Sequence, residues 1–141
     1  IGVSNFLPSH LEPLLASASV APMVDQIEFH PGHTQQETLD YCAAHNIQVE
    51  AWSPIGRARL LSNPLLTEMA GRYGVSVAQI CLRFALQNGV LPLPKSTNPN
   101  RMAQNLDLFS FSLAEEDMAV LDAMPRAGWS GEHPDRERVR L

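Results

Sequence analysis

An α/β fold with a parallel sheet is what this sequence predicts, and three observations carry the prediction. Short apolar runs alternate with longer stretches of helical periodicity along the 141 residues. The runs are far enough apart for right-handed crossovers through a helix, which parallel strands require. Each run also ends in a polar or conformationally special cluster: Ser4-Asn5, Gln26, Trp52-Ser53-Pro54 and Lys95-Ser96-Thr97. Loops at the carboxyl ends of parallel strands carry ligands, so four such clusters on one rim point to one site.

The elements follow in order. Ile1 to Asn5 reads as the end of a strand, apolar at Ile1 and Val3 and then polar. Leu11, Leu14 and Leu15 have helical spacing, and Met23 to Phe29 reads as the second strand. Thr34 with Glu37 has the form of a capping box ahead of Leu39, Cys42 and Ala43, on a helix that stops near Asn46. The stretch IQVEAWSP is the third strand, ended by Pro54. Two helices follow, from Asn63 to about Arg72 with Gly74 as stop, and from Ser76 to about Gln87 with Gly89 as stop. Ser76 and Gln79 make a second capping box. Residues 90–94, VLPLP, form the fourth strand, and Asn98 caps a helix with Pro99 at its first position. Ser112 with Glu115 caps a last helix to about Met124, and residues 125–141 form an irregular polar tail. Met69, Ile80, Phe84 and Leu86 are expected in the core.

Composition bounds the function. With 45% hydrophobic and 18% charged residues the chain suits one globular domain, and a net charge of -5 argues against a general nucleic-acid binder. Cys42 and Cys81 lack C-x-x-C spacing and fall in helical patterns, so buried thiols in a reducing, cytoplasmic setting are expected, with no disulfide. No apolar run reaches the length of a membrane span, and the first residues do not form a signal peptide. The chain opens at the end of a strand without methionine, which reads as a piece of a longer protein. His30 and His33 straddle Pro31-Gly32 and share no helical face, so no metal site is expected. There is neither a G-x-S-x-G elbow nor a P-loop.

Taken alone, each cluster has a plainer reading beside the functional one. Ser4-Asn5 serves equally as a turn or cap into the next helix, and Gln26 as a satisfied core amide. Trp52 alone reads as core, and Lys95 and Arg101 as solvated surface charges. Their order along the chain is what changes these readings.

IGVSNF, QIEFHP, AWSPIGR, LPKSTNPNRMAQN and FSLAEEDMAVLDAM occur in the order and at roughly the spacing of the aldo-keto reductases, and GWSGEHPD resembles the tail of their bacterial members. The resemblance covers nearly the whole chain. It implies a (β/α)8 TIM barrel of which residues 1–141 are the C-terminal half, strands five to eight with their helices. It further implies that Ser4, Asn5 and Gln26 hydrogen-bond a nicotinamide carboxamide, and that Trp52, more often tyrosine in the family, stacks on the ring. Ser53, Ile55 and Arg57 match the loop over the pyrophosphate; Lys95, Ser96, Thr97 and Arg101 match the grip on the 2'-phosphate of NADPH, and Gln104 and Asn105 lie near the adenine. The phosphate assignment also has a physical basis: two cations and two hydroxyls lie across a helix start whose free N–H groups favour anions. Lys95 to Asn105 contains no Asp or Glu, the residue type an NAD-selective site offers the ribose.

The family's reaction passes a hydride from NADPH to an aldehyde or ketone while a tyrosine donates the proton, assisted by a lysine, an aspartate and a histidine. Those four belong to its first four strands. Tyr41 and Tyr73 fall within helical patterns, so no catalytic residue is expected in this chain, which supplies the cofactor half of the site. Trp129 is expected either to line the substrate pocket or to pack on the surface. The expected partners are a carbonyl substrate and either the other half-barrel or a second copy of the chain. The alternative is a non-catalytic half-barrel that binds a dinucleotide or acts as a scaffold.

Overall fold

The computed structural model describes residues 1–136; the last five residues of the expected tail, 137–141, lie outside the described residues. Four strands, β1 (Gly2–Ser4), β2 (Val24–Glu28), β3 (Gln48–Trp52) and β4 (Leu91–Pro92), pair in parallel in the order β1-β2-β3-β4. Among the described residues six α-helices accompany them: α1 (Pro8–Ser17), α2 (Gln36–Ala44), α3 (Pro64–Tyr73), α4 (Val77–Gln87), α5 (Pro99–Leu106) and α6 (Glu115–Asp122). No helix among the described residues is long and apolar enough to cross a membrane.

Side chains on a strand alternate between faces, and here the two faces differ. Asp25, Ile27, Val49 and Ala51 are buried, together with Leu11, Phe29, Leu66, Ile80 and Phe84 of the core. Phe29 stacks on Phe84 with ring centroids 5.6 Å apart. Gln26, Glu50 and Trp52 on the other face are only half-buried, and Gln48 and Leu91 are exposed. Helices therefore cover one face of the sheet and leave the other open. Glu28 is the exception on the open face, 2% exposed because the tail crosses it.

Local sequence explains most element ends. The Ser76–Gln79 capping box forms, and Asn63 and Asn98 cap α3 and α5 through the N–H groups of Leu66 and Arg101, each with proline at the first helical position. Gly74 ends α3 with φ 67°, a left-handed value that glycine adopts without cost.

Two expected caps do not form. Helix α2 starts after Gln35, not Thr34; Gln35 has φ 50° and its Nε2 donates to the Glu28 carbonyl at 2.6 Å, so a tie to the strand end replaces the hydroxyl cap. Helix α6 starts after Ala114 rather than Ser112. The Ala114 N–H donates to the Tyr73 hydroxyl at 2.9 Å, and that hydroxyl donates to Asp117 at 2.6 Å. Three acids in the first turn of α6 then face the helix dipole favourably. The fourth strand is shorter than residues 90–94, because Pro92 and Pro94 cannot donate to a ladder.

Met69, Ile80 and Phe84 are core residues as expected, whereas Leu86 is half-buried. Cys42 and Cys81 are free and buried, and burial pushes their thiols up to about 11 and about 12. Asp25 is fully buried with Oδ2 unpartnered, and burial raises its carboxyl to about 6. The folded state thus holds a proton there that the unfolded chain releases, so stability falls as pH rises from about 4 to about 6.

Candidate functional site

At the carboxyl ends of β1, β2 and β3 the polar side chains are bonded to one another. Ser4 Oγ donates to the Gln26 backbone carbonyl at 3.1 Å, and Asn5 Nδ2 donates to Ser4 Oγ at 3.1 Å. Trp52 Nε1 donates to Asn5 Oδ1 at 2.7 Å, and Gln26 Nε2 donates to Glu50 Oε2 at 3.0 Å. Asn5 has φ 58°, a left-handed conformation that asparagine tolerates better than most residues. The cap of α1 is Leu7, whose N–H donates to His10 Nδ1 at 3.0 Å, so the Ser4-Asn5 pair does not cap that helix. Gln26 is likewise no core amide, since it lies on the open face.

Trp52 is half-buried, with the Arg57 guanidinium 5.5 Å from its ring centre. The loop after it is unusual in its backbone: Ser53, Gly56, Arg57 and Ala58 all have positive φ. Ile55 packs against the core, and Arg57 pairs with Glu132 at 2.9 Å.

The tail runs back over this rim. Ser130 donates to Glu28 through its N–H at 2.8 Å and its hydroxyl at 2.6 Å, and His30 Nε2 lies 3.3 Å from the same carboxylate. Burial pushes the Glu28 carboxyl up, but the bonds from His30 and Ser130 outweigh it and hold the group below its ordinary range. Further ties run from Arg59 to the Trp129 carbonyl at 2.7 Å and from His10 to Asp135 at 2.8 Å. Gly128 is required where the tail crosses: a Cβ there would come within 2.9 Å of Leu60 at φ 69°.

Tail and rim enclose a cleft of about 840 Å³ whose lining includes Ser4, Asn5, Glu28, His33, Trp52 and Trp129. Trp129 is half-buried between Arg126, 4.4 Å from its ring centre, and His33, 5.9 Å ring to ring. Burial, above all, holds His33 below the usual histidine range. Trp129 is one of the residues lining this cleft.

The remaining sequence candidates form a second cluster. Ser96 Oγ accepts from the Asn98 N–H at 3.1 Å, and Asn98 in turn caps α5 through Arg101 N–H at 3.2 Å. Lys95, Thr97, Arg101 and Gln104 are exposed, and Ser96 and Asn105 half-buried. None of these lines the cleft. The structure therefore joins Ser4, Asn5, Gln26 and Trp52 in one network, adds Trp129 across the cleft, and leaves Lys95 to Asn105 apart. Tyr41 lies in α2, stacked on His45 at 4.1 Å, and Tyr73 ends α3; neither lines the cleft. Among the described residues no three metal-ligating side chains converge.

Sequence reasoning missed Glu28, Glu50, His33, Arg126, Ser130 and Glu132. The two glutamates had a signal, since each alternates onto the same face as a singled-out neighbour, Glu28 with Gln26 and Glu50 with Trp52. The tail residues had none.

The model of the Aldo/keto reductase family matches residues 1–126. Glyoxal reductase of Bacillus subtilis (strain 168) is 49% identical over 135 residues, covering 96% of this chain and 49% of that protein. Among solved structures, Gox0644 in its apoform superposes with a TM-score of 0.91 at 40% identity, over 98% of this chain and 51% of that one, and a mutant of it was solved in complex with NADPH. An aldo-keto reductase of Bombyx mori in complex with NADP superposes at 0.80 with 39% identity, over 86% of this chain and 43% of that one. The chain thus spans about half the length of the curated relatives it matches.

Proposed function

The chain belongs to the aldo/keto reductase family, and from that premise we propose that it forms the cofactor-holding half of a (β/α)8 barrel that reduces aldehydes or ketones with NADPH. The winding supports the barrel: strand order runs without reversal, with helices on one face, whereas a doubly wound sheet reverses and is covered on both. On this reading the open face is the lumen of the barrel, and the other half, or a second copy of the chain, completes it.

The observation that carries the cofactor reading is the network joining Glu50, Gln26, Ser4, Asn5 and Trp52. It offers amide donors and acceptors beside a flat indole, which is what a carboxamide on an aromatic ring requires. Ser53, Ile55 and Arg57 are the residues for the pyrophosphate. Lys95, Ser96, Thr97 and Arg101 suit a phosphate monoester at the start of α5, with Gln104 and Asn105 toward the adenine. The NADP and NADPH of the two solved relatives support the same choice. When bound, NADPH supplies the hydride for the carbonyl carbon. This chain's residues hold the ring, screen it from water with Trp52, and wall the substrate side with Trp129. The proton donor is assigned to the half of the barrel outside residues 1–141, and buried thiols suit a cytoplasmic setting.

The test is a titration of the whole protein carrying this chain, followed by tryptophan fluorescence. NADPH should bind more tightly than NADH by at least about tenfold, the value of one charge-assisted contact. Equal affinity overturns the phosphate assignment, and binding without turnover of any aldehyde or ketone leaves the non-catalytic half-barrel.

A further inference from the structure

Two amides at the rim have a fixed polarity, because each is bonded to a group with only one option. Gln26 Nε2 donates to Glu50 Oε2 at 3.0 Å, and a carboxylate offers acceptors only, so the Gln26 carbonyl Oε1 is turned away from Glu50. Asn5 Oδ1 accepts from Trp52 Nε1 at 2.7 Å, and an indole N–H donates only, so Oδ1 is used and the NH2 remains. One of its hydrogens goes to Ser4 Oγ at 3.1 Å. No described residue donates to Gln26 Oε1, and none accepts the second N–H of Asn5. The pair therefore presents one acceptor and one donor, the complement of a primary carboxamide.

We propose that Glu50 is a positioning residue for the cofactor: it orients the Gln26 amide so that Oε1 accepts from the nicotinamide amine, as Trp52 orients Asn5 to donate to the carboxamide oxygen. The inference rests on the cofactor reading above. Glu50 enters the site through strand register, which sets it beside Gln26 across β2 and β3. A bond that merely tied two strands together would be served as well by a glutamine at position 50, whichever way the two amides turned; holding Gln26 Oε1 outward for a ligand is served by an acceptor-only carboxylate. Glu50→Gln keeps the size of the side chain and removes that distinction, since a glutamine either accepts from Gln26 or donates to it.

The experiment uses the whole protein carrying this chain and three ligands: NADP+, its 3-acetylpyridine analogue, and adenosine 2',5'-bisphosphate. The analogue keeps a carbonyl but has no amine, and the bisphosphate has no nicotinamide. In the parent protein the analogue should bind about tenfold more weakly than NADP+, the cost of leaving Gln26 Oε1 unpaired. Glu50→Gln should weaken NADP+ and leave the analogue nearly unchanged, shrinking the gap below about threefold, with bisphosphate affinity and the unfolding midpoint preserved. Gln26→Ala, which removes the amide, should close the gap to the same extent. A gap that keeps its full size in Glu50→Gln, or equal weakening of all three ligands, overturns the role of Glu50 while the cofactor reading stands. A parent protein that binds neither NADP+ nor the bisphosphate overturns the cofactor reading and this inference with it.

Discussion

At the β1–β3 end of the rim Glu50 is bonded to the Gln26 amide, Ser4 to the Gln26 backbone carbonyl and to Asn5, and Asn5 to Trp52, and the tail is tied over them through Glu28. At the β4–α5 end Lys95, Thr97 and Arg101 are exposed, α5 buries no residue, and only Asn98 and Ser96 are bonded to the local backbone. On the proposed cofactor reading, the difference teaches how one extended ligand would be read in two ways. A ring with an amide is recognised by fixed shape and fixed hydrogen-bond polarity, which demands order before binding. A phosphate is recognised by charge, which acts over several ångströms and tolerates mobile side chains.

The largest effect should come from breaking the ordered end. Glu28→Ala leaves the Ser130 N–H and hydroxyl without their acceptor in a site that is 2% exposed, and should cost about 3 kcal/mol in chemical denaturation. Because the Glu28 carboxyl is held low, its contribution is present above the ordinary glutamate range and lost as pH falls from that range through the lower value of the folded state, so parent and variant should converge in acid. A parent-to-variant difference independent of pH would show that the tie is packing. At the open end Arg101→Ala should weaken NADPH by about 2 kcal/mol, leave NADH unchanged and alter stability by less than about 0.5 kcal/mol. Added salt should erase that NADPH preference, and insensitivity to salt would place order at both ends. The smallest effect is expected for Trp52→Phe, which keeps a flat ring but removes the N–H that holds Asn5. It should cost about 1 kcal/mol of NADP+ affinity while the bisphosphate binds as before.

Much of this was legible in the sequence where the information is local. Period-two alternation and caps gave β2, β3, α3, α4 and α5 nearly to the residue, and the strand-end clusters marked the rim. Thr34 and Ser112 misled because a tertiary partner outweighed a local hydroxyl, Gln35 on the Glu28 carbonyl in one case and Tyr73 with Asp117 in the other. Glu50 was hidden for a different reason, since its meaning lies in the rung it shares with Gln26, and pairing register is not written in either strand alone. Ser130 on Glu28 spans 102 positions, beyond the reach of any window. The burial of Asp25 was likewise invisible, an acid on the helix-covered face of β2 beside the apolar Ile27.

The unreversed strand order also has a consequence in symmetry. With all four strands pointing the same way, the sheet has two unlike edges, β1 on one side and β4 on the other. On the proposed barrel reading, whatever completes the ring must offer the opposite edge to each at once, which is a head-to-tail contact rather than a mirror-like pairing of like edges. A half-barrel of related winding does this, and so does an identical chain turned by half a revolution about the barrel axis. The β4 edge carries Pro92 and Pro94 and is poor in backbone donors, so a seam formed there depends on side-chain packing more than on a ladder, once in a ring of unlike halves and twice, in two equivalent seams, in a ring of identical chains.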